Sequence, residues 1–184
     1  MVNGQPADIV SERLDLKWMS PRFIEASLDG LLGDAEEALG ASLPVWWPDK
    51  KARGWLVIRL EEMREAPASA EWLLRGLVRR SDMRLLGTIN FHDPPDERNC
   101  AELGYTVFEA YRRQGYASEA ARAMMRWAHT ERDVETFVVS ISPENGPSLA
   151  MAAKLGFERV GSRIDEIDGE EWVFELGPRA VKAP

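Results

Sequence analysis

Tyr111-Arg112-Arg113-Gln114-Gly115-Tyr116-Ala117-Ser118-Glu119-Ala120 places an Arg-x-x-Gly-x-Ala turn between an alternating run and a helical one. Before it, Ala101, Leu103, Tyr105 and Val107 alternate with Glu102 and Thr106, the period of a strand with one buried face. After it, Ala117, Ala120, Ala121, Met124 and Ala128 recur at helical spacing, with Ser118, Glu119, Arg122 and Arg126 on the other face. The spacing predicts an amphipathic helix that opens directly from the turn. The first amides of such a helix lack intrahelical acceptors, its dipole is positive there, and a glycine lets an anion approach the backbone. The pattern suits a diphosphate. It is neither the Gly-x-Gly-x-x-Gly of a dinucleotide turn nor the Gly-x-x-x-x-Gly-Lys-Ser/Thr of a triphosphate loop.

Outward from this centre the chain alternates strands and helices. Residues 136–141 read as a strand, and Asn145-Gly146-Pro147-Ser148 opens a helix that Gly156 ends before Phe157 enters the core. Asp168-Gly169 predicts a hairpin between 163–167 and 172–176. Upstream, 84–91 and 14–18 read as strands, and Ser20 with Pro21 caps a helix running through Phe23, Ile24, Ala26 and Leu28 toward Gly30. Residues 69–78 read as a further short helix, while Pro44-Val45-Trp46-Trp47-Pro48 reads as a loop. The expected organisation is a flexible leader over 1–10, one domain over 11–177 and a C-terminal tail over 178–184.

Composition narrows the partners. The chain has 184 residues, 45% hydrophobic and 29% charged, ordinary for one globular domain. A net charge of -8 argues against nucleic acid, whose phosphates need clustered Lys and Arg, and accommodates a cationic partner. No apolar run approaches membrane-spanning length, and the N-terminus lacks a signal peptide's basic start and apolar middle, so a cytoplasmic protein without membrane association is expected. Cys100, the single cysteine, and the two histidines, His92 and His129, show no spacing of metal ligands, and no metal is expected.

Arg112-x-x-Gly115-x-Ala117, then Asn145-x-x-Ser148 and Lys154-Leu155-Gly156-Phe157 in that order, resemble the GNAT superfamily of acetyl-CoA-dependent N-acetyltransferases. Glu102-Leu103-Gly104-Tyr105 ahead of the Tyr-Arg loop, and Ser11-Glu12-Arg13-Leu14 near the start, resemble its ribosomal-protein-alanine acetyltransferase branch. The resemblance covers residues 11–177, with its specific motifs within 101–157. It implies the α/β GNAT-type fold, a mixed and mostly antiparallel sheet flanked by helices. It also implies acetyl-CoA as co-substrate and direct transfer of its acetyl group to a primary amine in a ternary complex. The acceptor would be an amine-bearing small molecule or a protein N-terminus, and the protein a monomer or homodimer. A transferase using another acyl-CoA such as succinyl-CoA, or a non-catalytic acyl-CoA sensor, would share these motifs.

The resemblance distributes roles over the sequence. Backbone donors around Arg113, Gly115, Tyr116 and Ala117 would hold the pyrophosphate, with the cationic and polar side chains of Arg112, Arg113 and Gln114 beside them. Arg113 stands where the branch often has glycine. Backbone groups near Val107 would pair with the pantetheine arm like an added strand. Asn145 would reach the cofactor, cap its own helix, or do both. Glu102 is a candidate general base that could equally be an exposed strand carboxylate; Asp165 and Glu166 are its rivals. Many members carry a tyrosine five residues before the phenylalanine of the Gly-Phe pair, where this chain has Ala152, and Ser148 is the substitute donor to the departing thiolate. Trp46 and Trp47, with Trp55 behind them, fall in the substrate-facing half and are candidates for an aromatic acceptor wall or for core.

Overall fold

Eight strands and five α-helices form within residues 5–165 and 169–177, the part of the chain described by the computed structural model. The chain groups into two contact units. The first comprises the residues up to Asn90 together with Tyr105–Ala120, and the second Phe91–Gly104 with the residues from Ala121 onward.

In the first unit, alternation gives β2 (Leu14–Trp18), with Leu14 and Leu16 buried and Asp15 and Lys17 turned outward. It pairs antiparallel with β1 (Ile9–Val10) and with β3 (Arg75–Arg79), which pairs antiparallel with β4 (Arg84–Phe91). The expected helix over 69–78 does not form. Pro67–Ser69 make one 3-10 turn, and β3 follows with Arg75, Gly76, Leu77 and Val78 all buried. A strand buried on both faces loses its period of two, so the apolar run could not declare itself in the sequence. Arg75 lies 1% exposed and donates to the carbonyls of Leu16 at 3.2 Å, Ala7 at 2.9 Å and Glu71 at 3.3 Å. The part of the expected leader from Ala7 on is thereby tied to this unit.

Three helices pack here. Ser20 Oγ accepts from Phe23 N and Pro21 begins α1 (Pro21–Leu28), the N-terminus expected from sequence. Then come α2 (Leu32–Leu39), ended by left-handed Gly40, and α3 (Lys50–Glu65), capped by Asp49 on Ala52 N. Phe23, Ile24, Leu39, Leu56, Leu60, Leu74 and Leu85 join in one apolar cluster, each large side chain contributing about 1.5–3 kcal/mol by burial. Among the described residues no helix is long and apolar enough to cross a membrane.

In the second unit, the first part of β5 (Cys100–Val107) runs parallel to β6 (Thr136–Ile141), with Glu102 opposite Val138. β8 (Gly169–Leu176) pairs antiparallel with β6 and with β7 (Glu158–Asp165). One parallel pair among antiparallel ones is the mixed, mostly antiparallel architecture that the resemblance implies. The hairpin is longer than expected, closing at Asp165 opposite Gly169; Glu166 and Asp168 lie outside the described residues, as does 178–184. Phe91 stacks on Phe137 at 6.0 Å, and Ala101, Leu103, Val139 and Phe157 are buried around them. Helices α4 (Tyr116–Arg132) and α5 (Gly146–Leu155) begin where the sequence puts them within one residue, and left-handed Gly156 ends α5.

Candidate active site

The loop from β5 into α4 belongs to the first unit. After a 3-10 turn over Glu109–Tyr111, Arg112 is extended, Arg113 has φ 60° and Gly115 has φ 83°, and α4 starts at Tyr116. A turn with positive φ directly ahead of a helix is the backbone setting in which anion nests form. The first helical bond here runs from Glu119 N to Gly115 O at 3.0 Å, so the amides of Tyr116, Ala117 and Ser118 precede it. Gly115 is favoured by its φ of 83°, and an added Cβ there would come into van der Waals contact with Arg13 Nη2 at 3.4 Å. Arg113 adopts the conformation that glycine takes freely, which accounts for the glycine usual at that position; for a larger residue it costs about 1–2 kcal/mol.

Side chains brace this loop. Arg112 Nε donates to Val107 O at 3.0 Å, Ser118 Oγ to Gly115 O at 3.0 Å, and Gln114 Nε2 to Ala110 O at 3.4 Å. Two expectations change in consequence. Val107's carbonyl already accepts the Arg112 guanidinium, so it offers an incoming strand only its second lone pair. Ser118, expected on the polar face of the helix, is 8% exposed and closes the turn. Beside Val107, Gly87 of β4 lets the strands approach: a Cβ there would collide with Thr106 O and stand 2.9 Å from Val107 Cα.

The two tryptophans separate. Trp46 is 48% exposed and meets Phe108 edge-on at 4.8 Å. Trp47 is 6% exposed, donates from Nε1 to Ser27 Oγ at 3.0 Å, and packs on Phe23, Trp55 and Phe108. Of the two readings open for Trp47, wall or core, the buried indole with its N–H donated inside the core favours core.

The carboxylates lie in the second unit. Glu102 is no lone base: its Oε1 and Oε2 accept from Arg163 Nη2 at 2.8 Å and Nη1 at 2.9 Å, while Arg163 Nε donates to Glu171 at 3.0 Å. His92 Nδ1 stands 3.8 Å from Glu102 Oε1. Glu102, before Glu171, holds the Arg163 guanidinium above its usual range. Sequence reading missed Arg163 and Glu171, because it is the closure at Asp165 and Gly169, and not the turn expected at Asp168-Gly169, that sets residue 163 opposite 171. Asp165 is the half-buried last residue of β7. Asn145 Oδ1 accepts from Ser148 N at 3.2 Å, so it caps α5, and Ser148 is partly buried in that helix's first turn. Burial, more than nearby Asp96, raises the Cys100 thiol, which disfavours a nucleophilic thiolate.

Residues 13–158 match the acetyltransferase (GNAT) domain family. The uncharacterized N-acetyltransferase YnaD of Bacillus subtilis (strain 168) is 32% identical over 97 residues, 52% of this chain and 56% of that protein. The chain spans about half the length of the curated relatives it matches. Among solved structures, Mycobacterium smegmatis RimJ in complex with CoA-disulfide superposes with a TM-score of 0.68 at 18% identity, covering 98% of this chain and 91% of that one. The ribosomal-protein-S5-alanine acetyltransferase of Vibrio fischeri gives a TM-score of 0.65 at 12% identity, covering 96% and 100%. At these identities the structural likeness is one of fold.

Proposed function

We propose that this chain, which belongs to the acetyltransferase (GNAT) domain family, transfers the acetyl group of acetyl-CoA to a primary amine by direct attack in a ternary complex. The observation that carries the reading is the loop over Arg112–Ala117, where left-handed Arg113 and Gly115 precede the first amides of α4. Glycine at 115 leaves open the space a Cβ would fill, so the residues present fit a diphosphate. When bound, acetyl-CoA supplies an acetyl thioester, the activated acyl group of the reaction. The amides of Gly115, Tyr116 and Ala117 bind the diphosphate, Arg113 adds positive charge at the rim, and Ser148 Oγ carries the proton for the leaving group.

The acceptor must be neutral to attack. A lysine-like amine near pKa 10.4 is deprotonated about once in 2,500 at pH 7, whereas an α-amine near 8 requires only about 1–1.5 kcal/mol. Glu102 has both carboxylate oxygens engaged by Arg163, and the α-amine, which asks least of any base, is the favoured acceptor. Neighbours named as ribosomal-protein acetyltransferases support a protein N-terminus as one such acceptor. Trp46, braced on Phe108, supplies the apolar wall. Occupation of Glu102 together with the absence of a tyrosine at Ala152 favours one rival, a non-catalytic acyl-CoA sensor.

Calorimetry with acetyl-CoA and succinyl-CoA, followed by thiol release across a panel of peptides, polyamines, aminoglycosides and amino acids, tests both. Tight acetyl-CoA binding with turnover on an α-amine is the expected result. Binding without turnover on any amine selects the sensor, and absence of binding removes the reading.

A further inference from the structure

Ser11-Glu12-Arg13-Leu14 has no part in the roles above, yet it reaches the loop from about a hundred residues away. Glu119, in the first turn of α4, accepts at Oε1 from Ser11 Oγ and from Arg13 N, both at 2.7 Å. At Oε2 it accepts from Arg13 Nε at 2.7 Å and from Nη2 at 2.7 Å. Burial alone would raise the Glu119 carboxyl, but these bonds from Arg13 and Ser11 outweigh it and hold the group below its usual range. Fixed in this way, the guanidinium lies 4.4 Å over the Tyr116 ring and donates from Nη1 to Gln114 O at 3.1 Å.

That last bond has a geometric consequence. A trans peptide is planar, so its C=O and the following N–H point in opposite directions. Holding the Gln114 carbonyl fixes the direction of the Gly115 amide, and glycine at φ 83° has no side chain to restrict that peptide otherwise. The Arg13 charge also offsets a carboxylate lying one turn inside an anion-binding helix end. We propose that Arg13 is a positioning residue for the cofactor diphosphate: clamped by Ser11 and Glu119, it sets the Gln114–Gly115 peptide so that the Gly115 N–H is presented in one direction. The inference rests on the acetyl-CoA reading above.

The test compares Arg13→Met and Arg13→Lys with wild type, using calorimetry for acetyl-CoA and NMR titration for S-acetylpantetheine, which carries the thioester arm without the diphosphate. The Met variant should bind acetyl-CoA about 10-fold more weakly, the worth of a charged hydrogen bond, and S-acetylpantetheine within a factor of about two. Lys keeps the charge without the planar fork and should lie nearer Met than wild type. Glu119→Gln, which removes the charge and replaces one accepting oxygen by an amide N–H donor, loosens the guanidinium and should likewise weaken acetyl-CoA more than S-acetylpantetheine; it decides the matter if the Arg13 variants do not fold. Equal losses for both ligands would mean that Arg13 only holds the fold together, and unchanged acetyl-CoA affinity in the Met variant would equally overturn the proposal. Failure of wild type to bind acetyl-CoA would instead remove the reading on which it rests.

Discussion

Gly115 concentrates the proposed diphosphate site in a single residue, through its positive φ and its missing side chain. Gly115→Glu places bulk and negative charge where the diphosphate approaches; calorimetry should find acetyl-CoA binding abolished while circular dichroism stays that of the folded protein. Unchanged affinity in that folded variant would take away the basis of the assignment. Glu102 poses the opposite case, a carboxylate whose role depends on a partner. If it accepts the acceptor's proton despite Arg163, Glu102→Gln should lower turnover about 10²- to 10⁴-fold at neutral pH, with a smaller loss at high pH as the amine deprotonates unaided. A loss confined to Asp165→Asn or Glu166→Gln would place the base elsewhere.

At the scale of elements, two contacts decide how the loop is held. The first joins the segment entering β2 to the first turn of α4 through Ser11, Arg13 and Glu119. The folded Glu119 carboxyl titrates below its ordinary value, so its contribution to stability is present above the unfolded pKa of about 4.3 and is lost as pH falls through the lower folded value. Denaturation midpoints should therefore drop below about pH 4.3, and Glu119→Gln should reduce that slope while lowering stability at neutral pH. A variant with the wild-type acid slope would show that the clamp does not couple to folding. The second contact is the approach of β4 to the end of β5 at Gly87. Since the obstruction is backbone, Gly87→Ala should destabilise by about 1–3 kcal/mol in urea titrations and weaken acetyl-CoA binding by displacing Val107. An Ala variant as stable as wild type would mean that the strands separate easily.

The whole molecule carries a net charge of -8. If that field gathers a cationic acceptor, kcat/KM for the acceptor should fall appreciably between about 0.01 M and 0.1 M salt, as the Debye length shortens from about 30 Å to about 10 Å. A salt-independent kcat/KM, or a preferred acceptor without positive charge, would assign the acidity to solubility and leave acceptor choice to local contacts such as Trp46.

The sequence by itself determined what depends on neighbours a few residues apart. The strand at 84–91, the Ser20 and Asn145 caps, the end at Gly156 and the loop over Arg112–Ala117 all follow from local periodicity, capping and backbone freedom. Tertiary structure alone decided what depends on distant residues meeting. It turned 75–79 into a strand, because burial on both faces erased the period that would have identified it. It placed Trp47 in the core while leaving its neighbour Trp46 half exposed, a difference that two adjacent identical residues cannot encode locally. It joined Glu102 to Arg163 across 61 positions and Arg13 to Glu119 across 106, since pairing depends on strand register and element order rather than on the residues flanking each partner.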